Sequence, residues 1–526
     1  MVSKIRVNHN KTVSDYLVSS NSEKPYSVLD FLNDKGIFIT APCGSSGICG
    51  NCRVFLKKGK LRKISDSLLV SGEITVKSCQ YALIDNIDCE IEIPLQINKE
   101  NLSSRNNSAN HIFESISKDI NYMPSSTKLG IAIDIGTTNI SILLAKLADG
   151  KILDIKHVIN SQVAFASDVI SRINICLKNN ESVAKLQRCV IEKSILPALD
   201  AILENNNIPP HDIEKVAISG NTTMLHLLCG KDPSSMGTYP FNPLFIEAII
   251  TTFDKLTATF RDTQRIKAQT TLLPGISAFV GSDILSGIYA LDIHNNRLNT
   301  ILLDIGTNGE IALKTADGIL VTSTAAGPVF EGFGLECGAT AIDGAINEIT
   351  FIEGKLIIKT VNDSAPIGIC GSGYISFIAN ARKAGLIDSI GKFNGYKEIV
   401  FQGTNIKITE SDISKILQAK AAIASGIQIL LKDAKLKESE IDKLYLAGSF
   451  GSNLKKEYAI NSGLLKNFKP FQIECVGNTS LAGAYKYILN HSRLSELESI
   501  VNSSTSVNLN EDVAFCDIYI DNLFIP

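Results

Sequence analysis

At 526 residues the chain is too long for one hydrophobic core, so three or four units are expected. A hydrophobic share of 44% against 20% charged residues is ordinary for a water-facing globular protein, and a net charge of −3 offers no bulk attraction to nucleic acid or an anionic membrane. No apolar run reaches the length of a membrane span, the polar start Met1-Val2-Ser3-Lys4-Ile5-Arg6 does not read as a signal peptide, and twelve cysteines without a disulfide framework suit a reducing, anaerobic cytoplasm.

The first unit, residues 1–94, reads as strand, helix, cysteine loop, strand. Ser27-Val28-Leu29-Asp30-Phe31-Leu32 spaces its apolar residues as a helix does, and Lys35-Gly36 closes it. Cys43-Gly44-Ser45-Ser46-Gly47-Ile48-Cys49-Gly50-Asn51-Cys52 then gathers three thiols on a glycine-punctuated loop. Gly44, Gly47 and Gly50 allow tight curling, and the curled backbone can aim N–H groups at sulfur. Arg53-Val54-Phe55-Leu56 is a strand leaving the loop. Two cysteines compete as fourth ligand. Cys89 lies in an alternating strand on the apolar face with Ile91 and Ile93, where a buried small hydrophobe is the ordinary reading. Cys79, in Lys77-Ser78-Cys79-Gln80, is the choice made here. Three thiols plus one suit a 2Fe–2S cluster better than zinc, whose structural sites come as two separated pairs.

Residues 95–128 change character. Asn98 to Asn110 is rich in Asn and Ser and reads as a flexible linker, with a short helix near 112–120. An electron carrier on such a tether can visit two partners in turn.

Three glycine turns follow. Leu129-Gly130-Ile131-Ala132-Ile133-Asp134-Ile135-Gly136-Thr137-Thr138-Asn139 runs strand, turn, strand. Leu302-Leu303-Asp304-Ile305-Gly306-Thr307-Asn308-Gly309 repeats that plan, and Leu446-Ala447-Gly448-Ser449-Phe450-Gly451 is a strand opening into a third turn. Duplication of a strand–Asp–Gly–Thr–strand unit implies two similar lobes, 129–300 and 301–526, facing each other across a cleft. Hydroxyls and backbone N–H groups of the turns can then hold phosphate oxygens from both sides, while the carboxylates hold Mg²⁺ or orient an attacking water. Asn221 or Thr222, in Gly220-Asn221-Thr222-Thr223, is favoured as a helix N-cap over a phosphate contact. Cys370-Gly371-Ser372-Gly373 either touches nucleotide or permits close packing. Cys337 and Cys370 read as structural, and no histidine pair shows metal-binding spacing.

These motifs carry three resemblances. Residues 1–94 resemble a 2Fe–2S ferredoxin of the α+β beta-grasp type, with a five-residue first gap similar to the adrenodoxin-like branch. Residues 129–490 resemble the sugar kinase, heat-shock chaperone and actin superfamily, an α/β two-lobed ATPase built on a duplicated ribonuclease H-like core. Gly281-Ser282-Asp283 onward and Gly477-Asn478-Thr479-Ser480 onward are similar to that superfamily's two connecting helices. The resemblance implies Asp134 and Asp304 as catalytic residues for Mg²⁺ and water. It implies Gly136, Thr137, Thr138, Gly306, Thr307 and Asn308 around ATP phosphates, and Gly448, Ser449 and Gly451 beside adenosine.

The whole layout resembles the reductive activators of corrinoid proteins, which return Co(II) to Co(I) with electrons from the 2Fe–2S cluster at the expense of ATP. That resemblance implies a corrinoid protein as acceptor, a reductase or reduced ferredoxin as donor, and allows a homodimer. Two other readings stay open: an ATP-driven donor to a different low-potential metalloenzyme, and a redox-regulated small-molecule kinase.

Overall fold

The computed structural model describes residues 3–9, 12–18, 26–35, 37, 39, 52–93, 107–119, 128–179, 181–257, 266–352, 355–451, 454–490 and 493–526. The chain divides into two compact units, residues 1–102 with 161–175, and residues 103–160 with 176–526. Residues 161–175, expected in the first ATPase lobe, thus group with the N-terminal unit. Cys43 and Cys49 lie outside the described residues.

In the first unit, β1 (Ser3–His9) and β2 (Thr12–Val18) form an antiparallel hairpin. α1 (Val28–Asp34) starts where Ser27 Oγ accepts the Asp30 N–H at 3.0 Å, and it buries Val28, Leu29, Phe31 and Leu32. β3 (Arg53–Lys58), β4 (Ile74–Lys77) and β5 (Cys89–Glu92) complete a five-stranded sheet of order β2-β1-β5-β3-β4, with β1 and β5 parallel. Alternation puts Ile5, Val7, Val54, Leu56, Cys89 and Ile91 into one core beneath α1. A mixed sheet with a helix laid across one face is the expected beta-grasp arrangement.

The second unit opens with α2 (Asn107–Asp119). The short helix expected near 112–120 within the linker is present and begins earlier, at Asn107. Ile112, Phe113 and Ile116 fall on one face and are buried against the unit's core, where Phe113 meets Tyr485 edge-on at 5.8 Å between ring centres. Burial of that apolar face opposes the coil preference of the polar flanks.

Two sheets follow. The first has β6 (Leu129–Ile135), β7 (Asn139–Lys146), β8 (Ile152–Ile159), β9 (Ile213–Gly220), β10 (Ile249–Thr252) and β11 (Gln269–Leu272), in the order β8-β7-β6-β9-β11-β10. Here α3 (Thr222–Leu228) follows β9, capped by Asn221, whose side chain accepts the Met224 N–H. α4 (Ser282–Ala290) then leads to the second sheet. This comprises β12 (Thr300–Ile305), β13 (Gly309–Thr315), β14 (Gly318–Thr324), β15 (Lys443–Ala447), β16 (Ile473–Gly477) and β17 (Ser504–Ser506), in the order β16-β15-β12-β13-β14-β17. In each sheet three antiparallel strands adjoin two parallel ones in the same topology, so the expected duplication is visible in the strand order. β6 and β12 are central, and apart from the aspartate near the end of each they read as largely apolar runs because both faces are covered.

α7 (Thr479–Leu489) crosses α4 between the sheets, after α5 (Gly371–Lys383) and α6 (Glu410–Asp433). The crossing is close. A Cβ on Gly483 would fall 2.2 Å from the Ser286 carbonyl oxygen, and one on Gly287 would fall 2.8 Å from Thr479 Oγ1. Among the described residues no helix is long and apolar enough to cross a membrane.

Candidate functional site

Two sets of chemistry-bearing residues stand out, one in each unit. In the first, the antiparallel register of β3 and β4 pairs Arg53 with Lys77, so Cys52 and Cys79 emerge at the same sheet end. The Ser78 N–H donates to the Cys52 carbonyl at 2.8 Å, and the two sulfurs lie 3.2 Å apart as free thiols. Both are buried. Hydrogen bonding from Cys79 draws the Cys52 thiol down to about 6, against the effect of burial. The buried Ser78 hydroxyl lies beside the Cys52 thiol and adds to that lowering. Two adjacent buried thiols, one of them easily ionised, fit the ligand set of an iron–sulfur cluster. Cys89 differs. Its thiol donates to the Lys60 carbonyl at 3.3 Å, burial pushes its pKa up, and Gly59 lies against its sulfur.

The second set lies where β6 and β12 end. Gly136 N–H donates to the Asn139 carbonyl at 3.0 Å and Gly306 N–H to that of Asn308 at 2.9 Å, closing the two tight turns. A Cβ on Gly136 would strike the Asn139 oxygen at 2.7 Å, whereas Gly306 faces open space. The turns approach each other: Thr138 Oγ1 and Thr307 Oγ1 are 3.2 Å apart. Asn221 Nδ2 donates to Thr137 Oγ1 at 3.1 Å, so this N-cap residue also touches a turn.

Behind the turns sit carboxylates. Asp134 accepts hydrogen bonds from Asn478 Nδ2 at 2.8 Å and Ser480 Oγ at 2.7 Å, both near the start of α7. Burial raises the Asp134 pKa and those two bonds oppose the rise. Burial pushes Asp283, in the first turn of α4, up to about 6, and the Asp134 charge adds to this. Asp304 goes to about 8, through burial first, then through the charges of Asp283 and Asp134. Glu310, directly opposite Asp304 in the β12–β13 pairing, is raised well above its ordinary value by burial, Asp283 and Asp304. Burial raises all four carboxyls and neighbouring charges add to the rise at Asp283, Asp304 and Glu310, although among the described residues no three of these groups bring ligand atoms within 4.8 Å of one another.

The third turn is packed against this group. Gly448 has φ +84°, and a Cβ on it would lie 2.7 Å from Asp304 Oδ1. Gly451 is pressed against Leu446. The Ser449 side chain lies outside the described residues. At the other expected glycine turn, Cβ atoms on Gly371 and Gly373 would fall 2.2 Å from the Phe330 and Ile346 carbonyl oxygens, which is the close-packing alternative. The Cys370 thiol is buried, 3.3 Å from the Ile346 carbonyl, and half-buried Cys337 accepts the Lys407 N–H.

Asp283, Glu310, Asn478, Ser480 and Glu331 were not singled out as site residues from sequence. Asp283 and Ser480 lie in the segments likened to connecting helices, and an acid one residue into a helix was the available signal for Asp283. Glu331 gave none.

Three family models match. Residues 14–83 match a 2Fe-2S iron-sulfur cluster binding domain, residues 129–296 the RACo middle region, and residues 298–526 the C-terminal domain of RACo, the ASKHA domain. The chain is 30% identical over 445 residues to the corrinoid activation enzyme RamQ of Eubacterium limosum, covering 78% of this chain and 73% of that protein. It is 26% identical over 407 residues to the [Co(II) methylated amine-specific corrinoid protein] reductase of Methanosarcina barkeri, covering 72% and 73%. A solved structure of a reductive activator for corrinoid, iron–sulfur protein superposes with a TM-score of 0.69 at 27% identity, covering 100% of this chain and 98% of that one.

Proposed function

The chain belongs to the RACo family, and from that premise we propose that it is an ATP-dependent reductive activator that returns a corrinoid protein from Co(II) to Co(I). The observation that carries this reading is the facing of two hydroxyl turns over buried carboxylates, in a chain that also pairs two thiols in a ferredoxin-like unit. In this reading Cys43, Cys49, Cys52 and Cys79 ligate a 2Fe–2S cluster, which supplies a one-electron donor when bound. Cys52 and Cys79 exclude water from that position by their burial.

Thr137, Thr138, Thr307 and Asn308, with the N–H groups of Gly136 and Gly306, hold the phosphates of ATP from either side. Asp134 and Asp304 hold Mg²⁺ and the attacking water, assisted by Asp283 and Glu310. Gly448, Ser449 and Gly451 approach adenosine. The energetic need is specific. Plant-type ferredoxin clusters work at about −400 mV, and an acceptor several hundred millivolts below its donor costs on the order of several kcal/mol per electron. ATP contributes by favouring the conformation that binds the acceptor and disfavours Co(II) ligation.

The test mixes the reduced, purified chain with a Co(II) corrinoid protein and follows the Co(I) absorption band with and without ATP. ATP-dependent appearance of the band is expected. No conversion by any corrinoid partner encoded beside the chain would refute the reading.

A further inference from the structure

Glu331 ends a one-turn 3-10 helix, Pro328–Glu331, on the cleft side of the second sheet. Its Oε2 accepts a hydrogen bond from Thr138 Oγ1 at 2.8 Å and another from Thr307 Oγ1 at 3.0 Å. One carboxylate oxygen therefore takes the hydroxyl protons of both facing turns, one from each lobe. Hydroxyls that donate to an anionic oxygen make charge-assisted bonds, roughly twice as strong as neutral ones, and each hydroxyl has one proton to give. A phosphate oxygen held by the same pair must take those protons away from Glu331.

We infer that Glu331 and a nucleotide phosphate are alternative occupants of the Thr138–Thr307 pair, so that ATP binding expels the Glu331 carboxylate and displaces the segment that carries it. This rests on the reading of the two turns as phosphate holders. It adds a residue and a coupling route that the reading does not contain.

Glycines flank the segment, while Val329 and Phe330 are buried and the Phe330 carbonyl packs against Gly371, so its displacement is a concerted local repacking. Gly327, Gly332 and Gly334 all have left-handed φ, at +73°, +87° and +76°, and Gly327 and Gly334 border open space. Side-chain-bearing residues rarely adopt such backbone, and glycine crosses between its allowed regions at little steric cost. Anchors stand beyond the glycines: Ala326 N–H donates to the Thr324 carbonyl at 2.9 Å, and Glu336 N–H donates to Asp412 Oδ1 at 2.8 Å. Between the anchors Phe330 stacks on Phe450 of the third glycine turn, with ring centres 4.7 Å apart. A shift of Glu331 is therefore felt through Phe330 at the turn assigned to adenosine, while the Glu336–Asp412 bond ties the far end to the capping box of Thr409 and Asp412 that starts α6.

The test uses the full chain with its cluster loaded. Adenosine and Mg·ATP are titrated calorimetrically into wild type and Glu331→Gln, with the visible spectrum and melting temperature as checks on folding. Removing the competing charge should tighten Mg·ATP binding about tenfold and leave adenosine binding unchanged. Equal or weaker Mg·ATP affinity in the variant overturns the proposal. So does a variant that binds ATP as wild type does but no longer hydrolyses it, because Glu331 is then a group for the chemistry. Hydrogen exchange on wild type gives a second reading that needs no variant. The Gly332 and Phe333 amides, bonded to the Val329 and Pro328 carbonyls, should exchange faster with Mg·ATP present. Slower or unchanged exchange there overturns the proposal. A wild-type chain that binds no ATP at all removes the nucleotide reading itself and this inference with it.

Discussion

Ser480 holds Asp134 by a 2.7 Å hydrogen bond across 346 positions of sequence. The same hydroxyl lies 2.9 Å from Ser219 Oγ, which is 3.0 Å from Ser286 Oγ, so the contact continues into β9 and α4. Ser480→Ala withdraws one of the two bonds that favour the ionised Asp134. The Asp134 pKa should rise, and the acidic limb of the ATP hydrolysis profile should move to higher pH, with activity recovering on the alkaline side. A stability loss of about 1–2 kcal/mol accompanies the unsatisfied buried group. An unshifted pH profile would show that Asp134 ionisation does not limit turnover.

Metal and proton should compete in the cleft. With Asp304 near 8 and Asp283 near 6, the folded protein keeps protons that the unfolded chain releases near 4. These groups therefore destabilise the metal-free fold progressively from about pH 4 to about pH 8. Mg²⁺ replaces the protons, so its gain in melting temperature should grow between about pH 6 and about pH 8. Asp304→Asn should flatten that growth and abolish hydrolysis while leaving the visible spectrum intact. A Mg²⁺ gain independent of pH would place the cation elsewhere.

The thiols make a sharp pair of expectations. Cys79→Ser should lose or strongly alter the 2Fe–2S absorption, because its sulfur is the one 3.2 Å from Cys52. Cys89→Ser should keep a normal spectrum, since that thiol is already bonded to the Lys60 carbonyl. The reverse pattern in the anaerobically purified variants would exchange the two assignments.

Phe113→Ala tests whether α2 belongs to the second unit. Phe113 is buried against Tyr485, and truncating a buried Phe costs about 3–5 kcal/mol. Faster hydrogen exchange over 107–119 and a lower urea midpoint for ATP-binding competence are expected. A midpoint unchanged within error would mean that the helix adds nothing to the unit's stability.

Much of this was legible in the sequence because its signals are local. The Asp134–Thr138 and Asp304–Asn308 turns each place carboxylate, glycine and hydroxyl within five residues, and the duplication multiplies the evidence. The α1 cap at Ser27 and the α3 cap at Asn221 are likewise readable from neighbours. What stayed hidden depends on distant chain. Asn478 and Ser480 reach Asp134 because α7 returns to the first sheet, and Glu331 reaches Thr138 because the lobes face each other. Glu310 looked like an ordinary strand residue until its pairing with Asp304 was known. In the segment before β6 the helical spacing of Ile112, Phe113 and Ile116 was legible, while its extension back to Asn107 through Asn- and Ser-rich sequence was not.

The contact of Gly483 with Ser286 has a mechanical meaning. The two rods, α4 and α7, meet there and again at Gly287 and Thr479, so neither contact has room for an added methyl group. Ser480 lies about one helical turn from Gly483 and grips Asp134, so α7 ties this contact to the first sheet. A bulkier residue at Gly483 or Gly287 would therefore wedge the two helices apart, and the displacement would reach Asp134 through Ser480.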